Sequence, residues 1–248
     1  FLGRQKSAQC RVDEPLFPRA CRARVILNRE TMMFMTLFTA LAAVFMYYLQ
    51  PLFFPGEPTS DFKVLQPDDA PVLMEYLKKY EKDLGEDFLA YRNHCLRVMS
   101  FTSYFLGKEP ESGAKKVLQA ALAYHDLGLW SDLKASYLGP SAERARRDLS
   151  DSYTEAELKQ IEDIIMNHHK YTASPDPLVD AMRKADWLDF TNNLRFPMRS
   201  GMPSGNLAKA NQEVPLAGFF TALAKRPFAI RPDNPLKASL EVMEIFRW

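Results

Sequence analysis

From residue 70 to the end of the chain, apolar positions recur three and four residues apart and never settle into alternation by twos. That period is the signature of amphipathic helices. Pro71 suits the first turn of a helix, which is expected to run to about Gly85. A second helix is expected over about 86–106, with Gly107 as its stop, and a third over about 113–126. Ser141 and the residues behind it start a short fourth. Thr154-Glu-Ala-Glu157 is a capping-box pattern and opens a fifth, to about His169. Pro177 opens a sixth, to about Asn192. Residues 197–215, with Pro197, Gly201, Pro203, Gly205 and Pro215, read as loop. Two shorter helices, about 216–225 and 235–246, close the chain. With no strand pattern and no internal repeat, the fold class is all-α.

Ahead of this domain the pattern changes. No charged residue lies between Glu30 and Glu57, and 31–50 is a run of Met, Phe, Leu, Ala and Tyr closed by Pro51. Twenty helical residues span roughly 30 Å, the hydrocarbon thickness of a bilayer. Tyr47 and Tyr48 fall where interfacial aromatics sit. The run is read as a membrane anchor, the alternative being a buried core helix. The basic flank at 1–30 (Arg4, Lys6, Arg11, Arg19, Arg22, Arg24, Arg29) has no apolar face and reads as unstructured. By the flanking charges it lies inside, with the rest outside the cytoplasm. Residues 51–69, with Pro51, Pro55, Pro58 and Pro67, read as a linker. The domains are therefore 70–192, a helical core, and 193–248, a loop and C-terminal helices packed on it.

Composition narrows the function. The 248 residues carry a net charge of +1, so there is no nucleic-acid footprint, and 47% hydrophobic residues suffice for a core. Three cysteines without a CxxC pattern exclude a disulfide framework or a cysteine-based zinc site. The chain has only 4 histidines, His94, His125, His168 and His169, so their placement carries information.

Each falls near an apolar stripe. Val117, Ala121 and His125 share one side of the third helix, and Asp126 adds a carboxylate at the same depth. His94 lies among Tyr91, Val98 and Phe101. His168 shares a side with Ile161 and Ile165, and Asp186 lies one turn after Met182. A lone pair such as His125-Asp126 has a plain alternative, a buried hydrogen bond at a helix end. Four helices each turning a polar group inward are harder to satisfy by packing, because every unpaired group costs about 1–3 kcal/mol. A shared cation removes the conflict. Nitrogen and carboxylate donors without thiolate suit Mn, Fe, Mg or Zn.

His94, then His125-Asp126, then Asp186 within Lys184-Ala-Asp-Trp-Leu-Asp189 resembles the HD-domain superfamily of metal-dependent phosphohydrolases. The resemblance covers about residues 70–192 and extends to the frames Ala120–Gly128 and Ile165–Lys170. It implies a helical bundle around a divalent metal, with His94, His125, Asp126 and Asp186 as the defining ligands. It also implies a small phosphorylated substrate, often a nucleotide. Some two-metal members place further histidines after the doublet, and His168 is the preferred fifth ligand. In those members another His follows the doublet shortly. Here the corresponding stretch, Tyr137-Leu-Gly-Pro-Ser141, has none, which argues against a full two-metal site and against a two-iron oxygenase of the same fold. His169, one step round the helix, is expected at the surface or in support of His168.

Several further residues gain expected roles. Asp126 would also steady the attacking water, and Asp189, one turn from Asp186, would orient a histidine ligand. Arg97, Lys170, Arg183 and Lys184 are candidates to neutralise substrate phosphate, with Arg97 and Lys184 nearest the chemistry. Each has the ordinary alternative of a solvated cation. A non-catalytic helical module tethered to a membrane is the remaining reading.

Overall fold

The structure, a computed structural model, describes residues 56–191 and 201–246, and among these all regular structure is helical. The basic segment 1–30 and the apolar run 31–50 lie outside the described residues. Among those described, no helix is long and apolar enough to cross a membrane.

Eleven helices follow one another among the described residues: α1 (Pro71–Lys79), α2 (Glu81–Leu84), α3 (Phe88–Leu106), α4 (Ser112–Tyr124), α5 (Gly128–Ser131), α6 (Leu138–Leu149), α7 (Glu155–Asn167), α8 (Pro177–Thr191), α9 (Ser204–Glu213), α10 (Phe219–Ile230) and α11 (Pro235–Glu244). Their ends follow local chemistry. Thr154 and Glu157 close the expected capping box at the start of α7. Gly107, at φ +69°, stops α3 in the left-handed conformation. Gln119 Oε1 accepts from the amides of Val72 and Leu73, which the first turn of α1 leaves without helical partners. The helix expected over 71–85 is broken at Tyr80. The Tyr80 ring meets the Tyr124 ring edge-on, and its hydroxyl donates to Asp148.

The centre is α3. Between Ala90 and Thr102 only Arg92 escapes burial, so the helix is enclosed on nearly every side. Its polar residues are satisfied inside. The Ser100 hydroxyl donates to Leu96 O, the Thr102 hydroxyl to Val98 O, and the Asn93 amide to Pro215 O. Helix α8 makes the most extensive contact with α3; α4 packs on α3, and α7 bridges α4, α6 and α8.

Two segments differ from expectation. Residues 204–213, read as loop from their prolines and glycines, form α9. Gly205 is not a helix breaker there but a point of close approach, since a Cβ would lie 2.2 Å from the Gly56 carbonyl oxygen. The described part of the expected linker is packed rather than free. Phe62 stacks on Phe101, Val64 and Leu65 are buried, Thr59 N–H donates to Asn206 Oδ1, and Leu65 N–H donates to Ser100 Oγ.

Candidate metal centre

The pairing of α3 with α8 brings His94 opposite Asp186 and Asp189. His125 and Asp126 follow the last residue of α4, and His168 and His169 follow the last residue of α7. All seven side chains are buried. Their donor atoms converge. His94 Nε2 lies 3.1 Å from His125 Nε2 and 3.3 Å from Asp186 Oδ1. His125 Nε2 lies 3.2 Å from Asp126 Oδ2, His168 Nε2 3.3 Å from Asp126 Oδ1, and His169 Nδ1 3.5 Å from Asp186 Oδ2. Three overlapping groups, His94–His125–Asp186, His125–Asp126–His168 and His168–His169–Asp186, each offer donor atoms within 4.8 Å of one another. Buried His and Asp side chains thus form a set able to hold a metal ion.

The outer partners of the rings decide which way the lone pairs face. His94 Nδ1 is 2.7 Å from Asp189 Oδ2, His125 Nδ1 is 2.8 Å from Leu122 O, and His168 Nδ1 is 2.7 Å from Ile165 O. Each acceptor requires a proton on Nδ1, so each neutral ring presents a bare Nε2 to the interior. With Nδ1 protonated on both rings, two Nε2 atoms 3.1 Å apart need a proton or a metal ion between them. Asp126 Oδ1 and His168 Nε2 are, in addition, buried without a hydrogen-bond partner. Such orphaned atoms cost about 1–3 kcal/mol each unless something bonds them. The donor set therefore fits a cation.

Protonation follows the same field. Burial works against a charged His94, but Asp186 and Asp189 outweigh it and raise the imidazole to about 9. His168 is raised against burial by Asp126 and Asp186. Burial also opposes ionisation of Asp126, yet His125 and His168 hold its carboxyl well below the usual range. His94 and His168 lower Asp186 in the same way. His169 behaves oppositely: burial and the neighbouring His168 bring it down to about 3, so it stays neutral.

The expected phosphate-binding cations lie elsewhere. Arg97 is fully buried and committed: Nε donates to Asp189 Oδ1 at 2.7 Å, and Nη1 donates to Asn211 Oδ1 at 2.8 Å and to Val214 O. It anchors the carboxylate that orients His94, and its Nη2 is buried without a hydrogen-bond partner. Arg183 is buried, pairs with Asp180, and donates to the carbonyls of Lys170 and Tyr171, holding the turn that carries His168 and His169. Lys184 is exposed and its ammonium lies 2.8 Å from Asp180 Oδ2. Lys170 is half-exposed in that turn.

His169 is not at the surface. The helix ends at Asn167, with His168 still in helical dihedrals as its cap, and both histidine side chains turn inward. Tyr137, which the sequence reading passed over as a position lacking histidine, sits here. Its hydroxyl is 2.7 Å from His169 Nε2. Burial raises that hydroxyl well above its ordinary value, and the Asp126 charge adds to the effect. The signal was present, an aromatic hydroxyl between the doublet and the histidine pair, but a tyrosine at that spacing has many structural uses.

Beside Tyr137 and His169 opens a cleft of about 340 Å³ between α8, α10 and α11. Its walls are almost wholly apolar, with Phe190, Phe220, Leu223, Val242 and Phe246 among them. Phe219, next in the chain, stacks on His94 with centroids 4.1 Å apart. Comparison of the chain with protein-family models, with curated proteins and with solved structures finds no match.

Proposed function

We propose that this chain is a metal-dependent hydrolase of phosphate esters. The observation that carries the reading is the convergence of His94 Nε2 and His125 Nε2, 3.1 Å apart, beside two buried carboxylates. The resemblance to HD-domain phosphohydrolases supports it. His94, His125, Asp126 and Asp186, with His168 as a further donor, would hold a divalent ion, which when bound would supply Lewis acidity toward a phosphoryl oxygen and a water.

The chain's own residues do the rest. Asp126 Oδ1, buried and unpartnered, is placed to accept the proton of the attacking water. Asp189 keeps His94 in the tautomer that turns Nε2 inward. The Tyr137 hydroxyl, at the floor of the cleft with His169, is placed to hold a phosphoryl oxygen. Phe219 and Phe220 keep bulk water from the imidazoles. The expected membrane tether over 31–50 belongs to this proposal, and protease accessibility on sealed vesicles tests it.

The test is metal analysis of the purified chain, followed by phosphate release from a panel of monoesters and diesters with the bound metal restored. Turnover that is lost in His125→Ala and Asp126→Ala together with the metal is expected. No release from any ester by metal-loaded protein overturns the reading. One observation favours a second reading: the inward turn of both His168 and His169 supplies a third donor group with Asp186, enough for two ions. Two equivalents of iron with dioxygen consumption and no phosphate release would favour a two-iron oxygenase.

A further inference from the structure

We infer that the substrate is an amphiphile, a phosphate ester of a long apolar alcohol whose chain fills the cleft beside Tyr137 and His169. The inference rests on the hydrolase reading and deepens it by naming the substrate class. The cleft abuts the metal cluster at one wall: His169 lines it, and His169 Nδ1 lies 3.5 Å from Asp186 Oδ2. Its 340 Å³ holds about eleven water-sized groups at about 30 Å³ each, room for a chain of about ten carbons. Among its described lining residues, the hydroxyls of Tyr137 and Ser239 and the ring of His169 are the polar side-chain groups. Among the described lining residues there is no lysine or arginine. Three of the four candidate phosphate-binding cations pair with carboxylates, Arg97 with Asp189 and Arg183 and Lys184 with Asp180, and the fourth, Lys170, does not line the cleft.

The rim points the same way. Phe190, Phe228 and Met243 line the cleft and are still 42%, 48% and 62% exposed. Leu236 and Leu240 continue the row along α11, at 72% and 60%. A single exposed leucine needs no explanation, but apolar side chains gathered at the mouth of an apolar cleft mark a path for an apolar ligand. In the reaction the water oxygen bonds to phosphorus as the phosphorus–oxygen bond to the alcohol breaks. The water's proton passes through Asp126 to the leaving alkoxide, and inorganic phosphate and the free alcohol result.

The test uses the metal-loaded chain and n-alkyl phosphates from ethyl to dodecyl, below their micellar concentrations. kcat/KM is expected to rise about two- to fourfold per methylene, as burial of each CH2 predicts, and to level off near ten carbons. Binding of the matching n-alkyl phosphonates, read by calorimetry, is expected to follow the same series with an increasingly negative heat-capacity change. Val242→Trp, checked for native melting, fills the cleft and is expected to bring the decyl-to-ethyl ratio close to one. A flat series with turnover present overturns the inference and leaves the hydrolase reading standing. Chain-length-dependent phosphonate binding with no ester turned over overturns the hydrolase reading and leaves the cleft assignment standing. An unchanged ratio in Val242→Trp overturns the location.

Discussion

Arg97 and Asp189 form a pair buried to 0% on both sides, with Nε and Oδ1 2.7 Å apart. Removing one member strands the other. In Arg97→Met the Asp189 carboxylate keeps only the His94 ring. In Asp189→Asn a guanidinium that also lies 5.5 Å from the Phe101 ring loses its counter-charge. Breaking a buried pair from one side costs about 3–5 kcal/mol. At about 2–4 °C per kcal/mol for a chain of this size, each single change should lower Tm by about 6–20 °C. The double variant leaves neither charge exposed to the interior, so its loss should fall short of the sum of the singles by at least about 2 kcal/mol. The same carboxylate fixes the His94 tautomer, so Asp189→Asn should also weaken metal binding about 10- to 100-fold. Urea denaturation of the four proteins and competition with a fluorescent chelator measure the two quantities. Strict additivity, or metal affinity in Asp189→Asn within about twofold of wild type, would refute the assignment of Asp189 as the shared anchor.

Three further outcomes are expected. Gly128→Ala should cost about 1–3 kcal/mol by overpacking, because its Cβ would lie 2.8 Å from Tyr137 O and 3.1 Å from Ser141 N, both main-chain atoms; chemical denaturation reads it. Stripping the metal with a chelator should lower Tm, since an ion at about 100 times its Kd contributes about 2.7 kcal/mol, and His125→Ala should abolish that difference. Burial alone would raise the Asp180 carboxyl, but Lys184, Arg183 and the Ser174 amide outweigh it and bring it down to about 2. A folded pKa below the unfolded one stabilises above about pH 4 and loses that contribution as pH falls toward 2. After solvent screening this amounts to about 1–2 kcal/mol, so the stability gap between wild type and Asp180→Asn should close over that interval.

Much of the centre was legible because periodicity and chemistry agreed. His94 and Asp186 sit inside long helices whose apolar stripes fix the direction of every side chain, and α3 and α8 pack face to face. The inference weakened where the helical screw stopped. His169 follows the end of α7, so its place on a helical wheel said nothing about where it points. Arg97 lies one turn from His94 and was correctly placed on the same side, but spacing along one helix could not show that Asp189 and Asn211 wait for it on others. The glycines and prolines before α9 were read as breakers. Pro203 precedes its first turn, a local use, and Gly205 admits the backbone of Gly56 and Glu57, partners remote in sequence.

Two of the three oriented imidazoles lean on the main chain: His125 on Leu122 O and His168 on Ile165 O, each three residues back at the end of a helix. A peptide carbonyl survives every side-chain replacement, so mutation drift in the surrounding sequence leaves those two rings aimed as they are. Of these three, His94 is the one that takes its aim from a side chain a single codon can erase. Tuning of the ion's grip, by evolution or at the bench, is therefore channelled through Asp189 and the arginine behind it.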